Sequence, residues 1–165
     1  MSATAKLIRR ASATDLPQVY EFELAYIREI EPQQEERWKA AIAGLLRQWT
    51  TNLGRMWFAE EDGKTVGYCF WSPVRGGEIR DPIILREVGS AVLASIYVLP
   101  SARRLGWGRR LVQQFELDAV GQGFRQLTLG VHENNPARWL YEQCGYECMK
   151  LEDNYRYYRK AMTTP

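Results

Sequence analysis

The chain has 165 residues, 45% of them hydrophobic and 25% charged, the composition of one soluble domain with a core of its own. Its 22 basic and 20 acidic side chains leave a net charge of +2, too balanced for nucleic-acid binding through bulk electrostatics. No apolar run approaches the roughly 20 residues of a membrane helix, and one histidine with three scattered cysteines offers no metal spacing.

The start, Met1 to Lys6, lacks the hydrophobic stretch of a secretory leader. Cys69, Cys144 and Cys148 form neither a CxxC pair nor an even framework, so they read as reduced thiols in a cytoplasmic protein. Charge is unevenly spread. Acidic residues crowd Glu21 to Glu36 and Glu60 to Asp62, and arginines crowd Arg103 to Arg110.

Leu7 to Arg10 is a short opening strand. Ser12 to Asp15 then offers N-cap chemistry, and Leu16, Val19, Tyr20, Leu24 and Ile27 recur at helical spacing, which predicts a helix to about Ile30. Beyond Pro32, Trp38, Ile42, Leu45, Leu46 and Trp49 predict a second helix with one apolar face. Met56 to Glu60 and Thr65 to Trp71 read as a hairpin around Asp62-Gly63. After a loop and an irregular stretch at Arg86 to Gly89, Val92 to Val98 is the most strand-like segment, and Pro100 ends it. Leu105 to Val120 is helical, Leu127 to Val131 a strand, Pro136 to Gln143 a short helix, and Tyr146 to Lys150 and Tyr155 to Met162 are strands. The helix between the Val92 and Leu127 strands makes a βαβ crossover and hence a parallel pair. The result is a single α/β (α+β) domain over residues 1–165, with about seven strands and four helices.

The segment from Val98 to Arg110 places a strand end, a proline, arginines and Gly106-Trp107-Gly108 at the start of a helix. The first amides of a helix lack internal partners, and the macrodipole adds partial positive charge there. A diphosphate satisfies both. Gly106 and Gly108 let its oxygens approach the backbone, and Arg103, Arg104 and Arg109 add charge-assisted donors.

Arg103-x-x-Gly106-x-Gly108 after a strand ending in Val98 resembles the coenzyme A signature of the GNAT superfamily of N-acetyltransferases. Asn134-x-x-Ala137-x-x-Leu140-Tyr141-x-x-x-Gly145-Tyr146 is similar to that family's second motif. The resemblance implies a mostly antiparallel mixed sheet with one splayed parallel pair, and acetyl-CoA as co-substrate without a metal. It implies that the backbone of Ile96, Tyr97 and Val98 holds the pantetheine arm like an added strand. Arg103, Arg104, Leu105, Gly106, Trp107, Gly108 and Arg109 would hold the pyrophosphate, with Asn134 and Tyr141 near the thioester. Tyr141 would be the general acid for the departing thiol, and the amide of Tyr97 or Val98 the oxyanion donor.

The chain departs from the family at the base. Positions where relatives carry a glutamate are Val92 and Leu129 here, which leaves Glu87, Glu23, or Ser95 with a water. Glu23 and Tyr26 on the first helix are candidates for the acceptor pocket, offering a carboxylate and a ring to a cationic amine. His132, beside Glu133, reads as a strand-end residue without a nucleophile to activate. The expected acceptor is a small primary amine, with a peptide or protein amine, or a non-catalytic acyl-CoA sensor, as alternatives. No nucleic-acid or membrane partner is expected. The aromatic tail Tyr155 to Tyr158 offers a surface for a homodimer, by analogy with lookalikes.

Overall fold

The computed structural model describes residues 3–74 and 89–163. Seven strands make one sheet: β1 (Lys6–Arg10), β2 (Met56–Glu61), β3 (Lys64–Pro73), β4 (Ser90–Val98), β5 (Gln126–His132), β6 (Glu147–Glu152) and β7 (Tyr155–Ala161). Their order is β1-β2-β3-β4-β5-β7-β6, antiparallel throughout except between β4 and β5. Five α-helices are described: α1 (Leu16–Ile30), α2 (Glu35–Ala40), α3 (Ile42–Thr51), α4 (Trp107–Gly121) and α5 (Arg138–Gln143). The expected second helix is thus two. The Ala41 N–H is shared between the Arg37 and Trp38 carbonyls, at 3.2 and 3.1 Å, a tightened turn that splits α2 from α3.

Alternation along the strands gives each face its own core. Phe58, Tyr68 and Phe70 pack against Val19, Phe22 and Trp49 of α1 and α3. Cys69, Trp71, Ala91 and Leu93 pack on the opposite face against Leu111, Val112 and Phe115 of α4. The indole N–H groups of Trp57 and Trp71 both donate to Asp118 of α4, at 3.1 and 2.7 Å, which pins that helix to the sheet.

Two features of β4 build the site. Its pairing with β5 runs from Ser90↔Gln126 to Leu93↔Leu129 and stops there, so the two strands part, and beyond Leu93 the edge of β4 toward β5 has no ladder partner among the described residues. At the same point β4 carries one residue more than β3: Phe70 pairs with Ser95 but Trp71 with Leu93, leaving Ala94 as the bulge. The extra residue reverses the alternation. Ala91 and Leu93 face α4 before it, whereas Ile96 and Val98 face α4 after it, and Tyr97 joins the α1 core. Ser95 is thereby turned to the α1 side, where Tyr68 meets it.

Candidate active site

The turn that leads from β4 into α4 is built for an anion. Pro100–Ala102 forms a short 3₁₀ turn, Arg103 is extended, and Arg104 takes a left-handed φ of 64°. Gly106 follows at φ 87° as the N-cap of α4, a conformation that suits a residue without Cβ. No side chain caps the helix, so its first amides face outward with their partial charge. A cavity of about 620 Å³ opens there, lined by Gly106, Trp107, Gly108 and Arg109, by Ile96 to Val98, and by Tyr26 and Glu29 of α1.

The expected cofactor residues do not all play the part read from the sequence. Arg103 lines this cavity, but its guanidinium is committed: both terminal nitrogens bind Glu29, at 2.6 and 2.7 Å, and Nε donates to the Val98 carbonyl. Gly108 lines the cavity and is also held small by packing. A Cβ there would lie 2.9 Å from Leu140 of α5, so the glycine lets α5 sit against the start of α4. Arg104 and Arg109 line the cavity, whereas Leu105 is exposed outside its lining. Asn134 is also exposed, and its N–H donates to His132 Nδ1 at 3.0 Å. Its neighbour Asn135 lines the cavity instead, beside Tyr26, and accepts from the Ala137 N–H at 2.9 Å.

A second cavity, of about 900 Å³, lies between α1–α3 and the parted strands β4 and β5. Tyr26, Ile96, Asn135 and Tyr141 line both cavities, so the two meet at these side chains. Tyr141 is 3% exposed, and its hydroxyl hydrogen-bonds no described residue. Burial pushes that phenol well above its ordinary value, so it holds its proton, and burial pushes Tyr26 up to about 12.

Glu23 lines the second cavity from α1 and accepts a hydrogen bond from the Tyr68 hydroxyl, which also lies 2.7 Å from Ser95 Oγ. Ser95 also lines this cavity. Burial raises the Glu23 carboxyl above its ordinary value, with the two hydroxyls partly opposing the rise. Among the described residues Glu23 has no Lys or Arg partner. Sequence reasoning placed Glu23 in the acceptor pocket but missed Tyr68, which sits 45 residues away in the chain.

Glu87, the other candidate base, lies outside the described residues. His132 ends β5, buried, with the Tyr155 ring edge-on to it at 5.1 Å. The cysteines are free. No three metal-binding side chains gather among the described residues, and no described helix is long and apolar enough to cross a membrane.

The sequence profile of the Acetyltransferase (GNAT) family matches residues 16–146. The chain belongs to that family. Over 90 residues it is 36% identical to an uncharacterized N-acetyltransferase, YhfO, of Bacillus subtilis, a match covering 54% of this chain and 56% of the relative. Over 65 residues it is 34% identical to the [ribosomal protein bS18]-alanine N-acetyltransferase of Haemophilus influenzae, covering 39% and 44%. The matched segments thus span about half the length of these curated relatives. The PaiA N-acetyltransferase of Thermoplasma acidophilum, solved in complex with coenzyme A, shares the fold at a TM-score of 0.73 and 17% identity over 95% of this chain and 99% of that one. A GNAT acetyltransferase of Brucella melitensis in complex with acetyl-CoA superimposes at a TM-score of 0.65 and 21% identity, over 97% of this chain and 90% of its own.

Proposed function

We propose that the protein moves an acetyl group from acetyl-CoA to the primary amine of a small molecule by direct attack in a ternary complex. The observation that carries this is Tyr141, which lines both the anion-binding cavity and the second cavity and whose hydroxyl has no hydrogen-bond partner among the described residues. The open amides of α4 and the unpartnered edge of β4 fit a diphosphate and an amide-bearing arm, respectively.

Acetyl-CoA, held there by residues 104–109 and Ile96 to Val98, supplies the activated acetyl thioester. Glu23 takes the proton from the attacking nitrogen, and Tyr68 and Ser95 hold its carboxylate in place. The amide of Tyr97 or Val98 donates to the carbonyl oxygen as the N–C bond forms. Tyr141 gives its proton to the sulfur as the C–S bond breaks. A thiol with a reference pKa of about 8.5 is a moderate leaving group, so one phenol suffices.

Likeness to a ribosomal-protein-alanine N-acetyltransferase supports a peptide amine as the second reading. Thiol release from acetyl-CoA, followed over a panel of small amines and N-terminal alanine peptides, tests both. Turnover with small amines is the expected result. Turnover with peptides alone would select the second reading, and none with either would leave a binding module.

A further inference from the structure

We infer that the acceptor is an α,ω-diamine, its distal cation held by Glu31 while the reacting nitrogen lies at Glu23. This rests on the acetyl transfer proposed above and names its substrate class. Glu23, Tyr26, Ile27 and Glu31 line one cavity at helical spacing, so the two carboxylates flank a common space. Eight positions of helical rise put them about 12 Å apart along α1. Both are largely withdrawn from water and neither has a Lys or Arg partner among the described residues. Glu31 is 13% exposed, accepts the Tyr155 hydroxyl at 2.7 Å, and has His132 Nε2 at 3.9 Å. His132 Nδ1 accepts the Asn134 N–H, which places the imidazole proton on Nε2, toward Glu31.

The Tyr155 hydroxyl holds Glu31 in position without bringing a charge, and a carboxylate so placed suits a cation. Rings of Tyr26, Trp38 and Tyr155 line the same space and suit the faces of an ammonium ion and the alkyl chain between two of them. Independently, Tyr141, 3% exposed, lines both cavities and its hydroxyl has no hydrogen-bond partner among the described residues, so a polar group is left for a ligand at the Glu23 end. Arg37 also lines the cavity but is exposed on short α2. An amino acid acceptor would use Arg37 where a diamine uses Glu31.

The test compares three acceptor series of matched length with the full chain and acetyl-CoA: α,ω-diamines, n-alkylamines and ω-amino carboxylates. Diamines are expected to show KM lower by about tenfold or more than the alkylamines, the scale of one charge-assisted hydrogen bond, with an optimum chain length. Glu31→Gln is expected to remove that preference by raising KM for diamines while kcat changes little. Alkylamines or amino carboxylates used as well as diamines would overturn the inference and leave acetyl transfer standing. So would a preference unchanged in Glu31→Gln. Absence of thiol release with every series would instead count against the transfer reaction. The wild-type comparison decides the matter even if Glu31→Gln folds poorly.

Discussion

The Tyr68 hydroxyl on a central strand donates to the Glu23 carboxylate on the first helix, across 45 residues of chain. The contact joins the two halves of the α1-side core at the floor of the second cavity, because Phe22, next to Glu23, stacks on the same Tyr68 ring at 5.6 Å. A carboxylate set this way has a fixed direction and a perturbed proton affinity.

Its titration gives the first prediction. A carboxyl raised above its ordinary value of 4.5 is protonated, and unable to act as base, until the pH exceeds that raised value. The rate therefore climbs with pH through a midpoint above the ordinary carboxylate range. Glu23→Gln is expected to lower kcat by about a hundredfold or more and to abolish this limb. Tyr68→Phe removes a hydrogen bond that favours the charged form, so the limb moves to higher pH. A pH–rate profile of kcat for the three proteins is the measurement. An acid limb that persists in Glu23→Gln would assign the base elsewhere.

Tyr141→Phe separates chemistry from binding. It deletes one hydroxyl with no described protein partner and keeps a ring packed between Tyr146 and Tyr158, at 6.2 and 6.3 Å. Stability and coenzyme A affinity are expected to stay within about twofold, while kcat falls about a hundredfold. Calorimetric titration beside steady-state rates reads both. Equal losses in affinity and rate would make Tyr141 a binding residue only.

Gly108 faces Leu140, so its substitutions should follow the size of that side chain. Gly108→Ala calls for a small shift of one leucine methyl. Gly108→Val overpacks the junction of α4 and α5 and is expected to cost about 1–3 kcal/mol in urea unfolding. Adding Leu140→Ala should recover part of that loss, a coupling visible in a double-mutant cycle. Independent, additive effects would show that the two do not touch.

Acid sensitivity is expected at the first helix. The Arg9 guanidinium binds both Asp15 oxygens at 2.8 Å, and the Ser12 N–H adds a third bond, holding that carboxyl below its ordinary value of 3.8. A depressed carboxyl contributes stability above its unfolded pKa, lost as pH falls through the lower folded value. Asp15→Asn should therefore lower the thermal midpoint at neutral pH, and the gap should close progressively below about pH 4. A gap independent of pH would show that charge is not the cause.

Local signals made much of the molecule legible. Asp62 and Gly63 both take positive φ in the expected tight hairpin, and the crossover from β4 through α4 to β5 is parallel as the intervening helix requires. The turn before α4 was legible because its chemistry is carried by neighbours in sequence. What escaped depends on distant contacts or on a single-residue offset. Asp153-Asn154 makes a second positive-φ turn, whose Asx pair was the available signal. Asn135 rather than Asn134 faces the cavities, a choice set by the Asn134 N–H bonding back to His132. The union of Glu23 with Tyr68 and Ser95 comes from three separate elements, and no spacing rule reaches across them.

The bulge at Ala94, and not residue number alone, decides which side chains of β4 face the second cavity. Plain alternation through Ala94 would transpose everything downstream: Ser95 and Tyr97 would be driven into the apolar packing under α4, and Ile96 and Val98 would be stranded above the second cavity. Point changes there alter one contact each. Excising Ala94 would instead join Leu93 to Ser95 opposite Trp71 and Phe70, a regular ladder that keeps each later side chain on its present face, so a strand one residue shorter is expected to present the same floor.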